Sequence, residues 1–295
     1  MPTTLMDVVR LSARHLADRG SDSARLDAEL LAAHALGLRR LDLYLQHDRP
    51  LDEAELVPIR ALLRRRAAGE PVAYIVGERE FYGRPFAVTP AVLIPRPETE
   101  LLVERALAFL HERAAGTDGP LGSGVAGADL GTGSGCIGVT LACEATGLDV
   151  VAGDVSAAAV EVARANAVRH GVQDRVRISV AGWWAACAGA AVDLVVSNPP
   201  YISDPELGDV MRDVRDHEPR DALSGGHDGL AAYRDLLRDA GTGLVRPGGA
   251  VLLEVTPERA GAVAGMAGEA WPAATVAVHP DLAGRDRCVE VRVPA

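Results

Sequence analysis

From residue 125 onward the chain alternates between two textures. Short runs of aliphatic and β-branched residues fall near 125–130, 149–153, 175–180, 192–197, 250–255, 273–279 and 288–293, with Ala-rich stretches of helical length between most of them. Runs this apolar must be covered on both faces, and the stretches between them are long enough to be crossover helices. The pattern predicts a doubly wound α/β sheet. Before about residue 75 the period changes. Leu5, Val8, Val9 and Leu16, then Leu26, Leu30 and Leu31, then Leu56, Ile59, Leu62 and Leu63 recur at helical spacing, which predicts a small all-helical domain over 1–75. Ser21, Asp22 and Ser23 are candidate caps between its first two helices. From Tyr74 to Pro97, aromatic and β-branched residues punctuated by Gly and Pro predict a β-hairpin connector, assigned to 76–100, which leaves 101–295 for the α/β domain. The Gly-rich "GTDGPLGSGVAG" reads as a surface loop before the first of those strands.

Charge and cysteine usage exclude several classes of function. The 295 residues carry a net charge of −11; residues 1–80 hold 12 Arg against 13 Asp and Glu, and the remainder 18 basic against 28 acidic groups. Neither part has the basic surplus of a protein that neutralises many phosphates, so no direct nucleic-acid partner is expected. Arg64 to Arg66 form the one basic run of note, and consecutive helical positions point in different directions, so it reads as a solvated helix face. Cys136, Cys143, Cys187 and Cys288 include no C-x-x-C pair, and the eight histidines form no zinc-binding pattern. Reduced core thiols and no metal are expected. The first twenty residues lack the layout of a signal peptide and no apolar run approaches membrane-spanning length, so the expectation is a cytoplasmic protein with no membrane partner.

The first chemical signal is "ADLGTGSGCIG", Ala128 to Gly138. A strand running into Gly131, Gly133 and Gly135 brings backbone N–H groups close to a ligand at a helix N-terminus, where a Cβ would block the approach. No Lys follows in the order of a nucleoside triphosphate loop. Asp154, nineteen residues beyond Gly135 and at the end of the next predicted strand, can accept both hydroxyls of a ribose. A ribose-bearing cofactor is favoured over a Gly-rich turn with a surface acid. Nicotinamide and adenosylmethionine sites share these features, and both remain open on them alone.

The second signal separates the two. "DLVVSNPPYI", Asp193 to Ile202, ends a buried strand on an amide, two prolines and an aromatic ring. The carboxyl ends of strands in an open α/β sheet form the ligand crevice, so Asn198 points toward the reactive end of the cofactor. Pro199 and Pro200 fix φ and supply no N–H, which holds the Pro199 carbonyl in one direction. The Asn198 side-chain oxygen and that carbonyl make a pair of acceptors suited to a planar –NH2 group, with Tyr201 against its plane. Such a clamp suits methyl transfer to an amide nitrogen, because it fixes the attack geometry and stabilises the positive charge developing on nitrogen.

"NPPY" after a Gly-rich loop resembles the class I amino-group methyltransferases. Together, "GEPVAYIVGEREFYGRPFAVTPAVLIPRPETELLVE", "DLGTGSGCIG", "SNPPYI", "DVRDHEPRDALSGGHDGLAAYR" and "DLAGRDR" resemble the HemK/PrmC family of release factor glutamine N5-methyltransferases, from about residue 5 to the C-terminus. The resemblance implies a class I, Rossmann-like fold with a seven-stranded, mostly parallel sheet, S-adenosyl-L-methionine as cofactor, and class 1 peptide release factors as partners, methylated on the glutamine of Gly-Gly-Gln. It implies that Gly131, Thr132, Gly133, Ser134 and Gly135 wrap the methionine moiety, that Asp154 holds the ribose, that Trp183 lies beside the adenine, and that Asn198, Pro199, Pro200 and Tyr201 bind the substrate glutamine, with Asn198 also beside the cofactor. It implies that the helical domain grips the partner and that Arg96, Pro97, Glu98 and Thr99 lie near the active site. On their own pattern, Glu98 or Thr99 equally reads as the cap of an ordinary helix. A monomer is the expected state.

The chain departs from that family at two points. Gly182 stands where many relatives carry an acid before the tryptophan, and Thr256 and Pro257 follow Glu254 where a Gly and a Gln are usual. Two other substrates use the same clamp, a ribosomal-protein glutamine and a nucleic-acid amino group, and a silent binding module is the non-enzyme alternative. The long strand-free span from Tyr201 to Gly229 suggests a loop that shapes a substrate channel.

Overall fold

The computed structural model describes residues 4–115, 118–238 and 243–295; Gly116 and Thr117 of the Gly-rich stretch, with Met1 to Thr3 and residues 239–242, lie outside the described residues. The chain forms two compact units. One holds the residues up to Glu78 together with Met211–His217, and the other holds Arg79–Val210 and Glu218–Ala295.

The first unit is helical: α1 Leu5–Ala17, α2 Ala24–Leu36, α3 Arg40–Leu45, α4 Glu53–Ala67 and α5 Val72–Val76. Thr4 and Asp7 start α1 with a reciprocal capping box, and Asp52 and Glu55 do the same for α4, which satisfies amides the first turn leaves orphaned. Leu5, Val9, Leu16, Leu31, Leu43 and Ile59 are buried as their spacing predicts or allows, but Leu26 is 40 % exposed. The inward stripe of α2 is Ala28, Leu31 and Ala32, and Leu26 lies two residues, about 200°, around the helix from Ala28.

Two further expectations change here. Ser23 occupies the N-cap position of α2 without capping it; its hydroxyl, with that of Ser21, donates instead to the buried Asp27 carboxylate, at 2.8 and 2.7 Å. The arginine run is not a uniformly solvated face. Arg64 and Arg65 are exposed, but the Arg66 side chain is only 12 % exposed and donates to Asp27 at 2.7 Å and to Asp213 at 3.3 Å. Asp213 lies on α9, Arg212–His217, so this ion pair fastens a piece of the Tyr201–Gly229 span into the helical unit.

The second unit begins one residue into the hairpin of β1 Glu78–Phe81 and β2 Arg84–Ala87, which is followed by α6 Glu100–Ala114. Then β3 Ala126–Leu130, α7 Cys136–Glu144, β4 Asp149–Asp154, α8 Ala157–Arg169, β5 Val176–Val180 and β6 Val192–Ser197 alternate, and α10 Ala231–Arg238, β7 Val245–Glu254, α11 Pro257–Ala270, β8 Thr275–Pro280 and β9 Asp286–Arg292 complete the unit. The seven-stranded sheet runs β5-β4-β3-β6-β7-β9-β8. β3 to β7 are parallel and β9 is antiparallel to both neighbours. This is the class I methyltransferase arrangement. β7 begins five residues earlier than its pattern predicts, because Val245 already pairs with Val192 before a register shift. Thr256 and Pro257 form the start of α11, with Pro at its first position, where the missing N–H is one of the orphans. Among the described residues no helix is long and apolar enough to cross a membrane, and no group of three His, Cys, Asp or Glu side chains could hold a metal ion.

Removing the Arg66 guanidinium leaves Asp27 buried and short of its strongest donor. Arg66→Ala is expected to destabilise the helical unit by about 3 kcal/mol, read as faster amide hydrogen exchange in α2 and α4. The double variant Asp27→Asn, Arg66→Met should lose less than Arg66→Ala alone; an equal or larger loss would remove the uncompensated charge as the cause.

Candidate active site

The chain order reverses at β3, which lies between β4 and β6, and the loops at the carboxyl ends of these strands surround a cavity of about 390 Å³. Gly131, Thr132, Gly133 and Ser134 come from the turn after β3, Asp154 from the end of β4, Trp183 from the turn after β5, and Asn198 and Pro200 from the segment after β6. Gly135 ends the turn as the N-cap of α7, in the left-handed region. Pro199 is buried and Tyr201 half-buried, and neither lines the cavity.

The glycine turn is built differently from the sequence expectation. Gly131, Gly133 and Gly135 all have positive φ, at 76°, 54° and 80°, which an L side chain would resist. The amides do not converge on the cavity, however. Those of Gly131 and Thr132 both donate to the Gly153 carbonyl at 2.9 Å, that of Gly135 to the Thr132 carbonyl at 2.8 Å, and that of Gly133 to the Asp154 carboxylate at 2.9 Å. A turn whose N–H groups are engaged within the protein, with a carboxylate beside it, is a poor cradle for a pyrophosphate. It presents a close, uncharged backbone instead. A Cβ on Gly131 would come within 3.3 Å of the Trp183 ring, so the turn and the indole form one continuous wall. Trp183 itself is held at φ 28°. Its neighbour Trp184 belongs to the core and donates its indole N–H to the Leu236 carbonyl at 2.7 Å.

Asp154 accepts the amides of Gly133 and Ser156, one on each oxygen, both at 2.9 Å. Each oxygen keeps a second lone pair for a ligand hydroxyl. Gly182 lines the same cavity without an acid, whereas Thr256 and Pro257 do not line it.

On the far side, Asn198 donates from Nδ2 to the Thr99 hydroxyl at 3.1 Å. Thr99 stands at the N-cap position of α6 but caps nothing; Glu254 ends β7. Glu254 is fully buried, and desolvation pushes its carboxyl up to about 7. Burial likewise pushes the Tyr201 phenol up to about 12, so Tyr201 is neutral at physiological pH. Arg96 is held by the buried Glu218 at 2.6 Å, and Glu218 also accepts the Ile94 amide at 3.2 Å, which pins the Ile94–Thr99 segment along the cavity.

Several supports were not assigned from the sequence. Asn166 of α8, fully buried, exchanges two hydrogen bonds with Ala87 of β2 and donates a third to the Ser134 carbonyl at 2.8 Å. Asp129 accepts the Thr132 hydroxyl at 2.7 Å and the Gly138 amide at 2.9 Å; desolvation pushes its carboxyl up to about 6. The span after Tyr201 divides. Pro219, Asp221 and Ala222 line the cavity, and the following turn packs on the strand extension, Ile202 donating to Leu223 at 2.9 Å and Gly225 to Ile202 at 2.8 Å. Gly225 is required there, since a Cβ would lie 2.8 Å from the Gly229 backbone.

Comparison with known proteins agrees with this geometry. Residues 7–77 match the PrmC N-terminal domain and 120–215 the methyltransferase small domain. The chain is 43 % identical to a release factor glutamine methyltransferase of Nitratidesulfovibrio vulgaris, covering 98 % of this chain and 95 % of that one, and 45 % identical to one of Cereibacter sphaeroides, covering 98 % of each. It belongs to the release factor glutamine methyltransferase family. The fold is shared more widely: a methyltransferase from Pyrococcus furiosus superposes with a TM-score of 0.52 at 18 % identity, over 80 % of this chain and 98 % of that chain. The N-terminal domain of human METTL16 in complex with SAH does so at 0.53 and 14 %, over 79 % and 84 %.

In this member of the release factor glutamine methyltransferases, Glu254 links stability to pH. Its folded value, about 7, lies above its ordinary 4.5, so the native state holds the extra proton between those limits. The contribution is fully present below pH 4.5 and is lost as pH rises through 7, amounting to at most about 3 kcal/mol. Glu254→Gln, which cannot ionise, is expected to lose less melting temperature than the wild type between pH 5 and 8; parallel curves would show that this carboxyl does not titrate in the window.

Proposed function

We propose that this protein transfers a methyl group from S-adenosyl-L-methionine to the side-chain amide nitrogen, N5, of the glutamine in the Gly-Gly-Gln motif of class 1 peptide chain release factors, and so modulates translation termination, acting in the cytoplasm as a monomer. The observation that carries this reading is the pair Asn198 and Pro200, which follow β6 and line one cavity with the glycine turn, in a chain so similar to release factor glutamine methyltransferases over its length.

The cavity fits the cofactor. A close, uncharged glycine backbone suits a methionine chain, Asp154 offers free lone pairs to two ribose hydroxyls, and Trp183 gives the adenine an aromatic wall. With Gly182 supplying no carboxylate, adenine recognition falls to packing more than to hydrogen bonds. When bound there, S-adenosyl-L-methionine supplies an electrophilic methyl on a sulfonium.

The residues opposite do the rest. Asn198 Oδ1 and the Pro199 carbonyl accept the two N–H bonds of the glutamine carboxamide, which fixes the nitrogen for in-line attack. Pro199 and Pro200 hold that carbonyl rigid, and Tyr201 packs against the carboxamide plane. As the N–C bond forms and the methyl–sulfur bond breaks, positive charge grows on the nitrogen, and the two oxygen dipoles stabilise it without reorganising. The nitrogen then sheds one proton to water. Tyr201, with its phenol at about 12, is no base, and the reaction requires none.

The helical domain, 1–75, is assigned the grip on the release factor. An apolar groove of about 470 Å³ runs between α1 and α4, with Leu11, Leu56 and Leu63 on its walls and Arg60 and Arg64 at its rim. Leu11 is 63 % exposed.

The deciding experiment is peptide mass spectrometry on a class 1 release factor incubated with the protein and S-adenosyl-L-methionine. One methyl on the Gly-Gly-Gln glutamine is expected, with Asn198→Ala lowering turnover at least about 100-fold while affinity for S-adenosylhomocysteine stays within about twofold. Methylation of a ribosomal protein or of RNA in its place would overturn the substrate assignment. Leu11→Glu should raise KM for the full-length release factor at least about fivefold with cofactor affinity unchanged; an unchanged KM would move the docking surface elsewhere.

A further inference from the structure

Two of the stretches that carry the family resemblance meet beside the cavity. Arg96 of "IPRPETE" donates to Glu218 of "DHEPRDAL" at 2.6 Å, across 122 residues of chain, and Glu218 is itself fixed by the Ile94 amide at 3.2 Å. The Glu218 side chain is 1 % exposed, whereas that of Arg96 is 29 % exposed and lines the cavity, where it is the one cationic side chain among the described residues. An arginine fork carries five N–H donors, and one of them is on Glu218. Among the described residues, no Arg96 nitrogen is buried without a partner, so the donors that Glu218 does not take are accessible from the cavity. Arg96 also stands next to the acceptor end. Its carbonyl takes the Thr99 amide at 3.1 Å, and the Thr99 hydroxyl takes Nδ2 of Asn198 at 3.1 Å. One short turn, Pro97–Thr99, thus links the arginine to the residue that meets the substrate amide.

The carboxamide clamp does not distinguish one glutamine from another. What sets Gly-Gly-Gln apart lies before the glutamine, and glycines present only backbone there: carbonyl acceptors that no Cβ shields. Reading them takes a donor held in a fixed plane, and an arginine anchored at one edge by a buried carboxylate supplies it. We propose that Arg96 is a substrate-binding residue that donates to the backbone carbonyl of the glycine adjoining the acceptor glutamine, and that Glu218 is the positioning residue that fixes its fork. The inference rests on the glutamine-methylation reading above and adds the part of the substrate that is read outside the carboxamide.

Replacing Arg96 alone would leave Glu218 buried and unpaired, so the pair is exchanged together, as Arg96→Met, Glu218→Gln, in the full-length protein. With a class 1 release factor as substrate, KM is expected to rise at least about 10-fold, the loss of a hydrogen bond from a charged group, while kcat, S-adenosylhomocysteine affinity and melting temperature stay nearly unchanged. A release factor prepared by ligation, with an ester in place of the amide between the second glycine and the glutamine, separates recognition from structure, because the ester carbonyl is a weaker acceptor. The ester should lower kcat/KM about fivefold with the wild type and less than about twofold with the double variant. If the double variant does not fold, Arg96→Lys, which keeps a cation on Glu218 and loses the planar fork, enters the same cycle with the same direction of effect. An unchanged KM, or an ester penalty equal in both proteins, would overturn the assignment and leave the methylation reading intact. So would a loss of S-adenosylhomocysteine affinity that matches the rise in KM, which would place the guanidinium on the cofactor. A wild-type protein that leaves the glutamine unmethylated would overturn the methylation reading itself.

Discussion

The site depends on two strand ends being held side by side. β3 and β6 pair in parallel, with Asp129 opposite Val196, and the buried Ser197 hydroxyl then donates to the Leu130 carbonyl at 2.6 Å. That bond joins the last residue before the glycine turn to the last residue before Asn198. In parallel sheets the next connection must leave each strand over the same edge, so the two loops that leave here share one crevice. Backbone register brings the glycine turn and the Asn198 segment together before any site residue acts. Pro199 and Pro200 prevent the chain after Ser197 from continuing the ladder, and this frees a carbonyl that a longer strand would have engaged.

The scaffolding behind the crevice is polar. Asp129, Glu218 and Asn166 are all buried, yet each is tied to a backbone or hydroxyl group of a site loop. Buried carboxylates of this kind add little to stability and can subtract from it, as the raised values of Asp129 and Glu254 indicate. Their common feature is directional. An apolar core fixes where a loop lies, but only a hydrogen bond fixes which way a carbonyl, an amide or a carboxamide is turned, and transfer to a poor nucleophile depends on that turn. The site therefore uses its core polar groups for orientation and its apolar groups for position.

Much of this was legible in the sequence because it is local. The strands announce themselves by composition, the turn by Gly131, Gly133 and Gly135, the end of β6 by Asn198 to Tyr201, and the hairpin by aromatics between Gly and Pro. What escaped joins residues far apart in the chain. Asn166 reaches Ala87 across 79 residues, and Thr99 reaches Asn198 across 99. No periodicity encodes such pairs. Two misreadings have the same origin: Arg66 looked like its two neighbours until Asp27 and Asp213 were placed beside it, and Thr99 sat at a helix start with its hydroxyl engaged by Asn198. Ser23 differs, its hydroxyl being taken by Asp27 four residues on. The sequence places the N–H groups of the glycine turn beside a ligand, whereas those of Gly131, Thr132, Gly133 and Gly135 are engaged within the protein, because the sequence does not reveal that Gly153 offers its carbonyl there.

One local sign for the hidden group was nevertheless present. Glu254 ends "AVLLE", a strand with no other polar residue in its last five positions. A charge closing such a strand in the middle of a parallel sheet stands at the crevice edge, where it either meets a ligand or orients something that does. It is 3 % exposed, one of its carboxylate oxygens is buried without a hydrogen-bond partner, and it does not line the cavity, which leaves it out of reach of a ligand there. The same reasoning applies to Asp154, which also ends an interior strand but keeps lone pairs on the cavity side of the turn and is only half-buried. Two acids in equivalent places on strands β4 and β7 thus differ by exposure: the accessible one is available to a ligand directly, and the enclosed one is not.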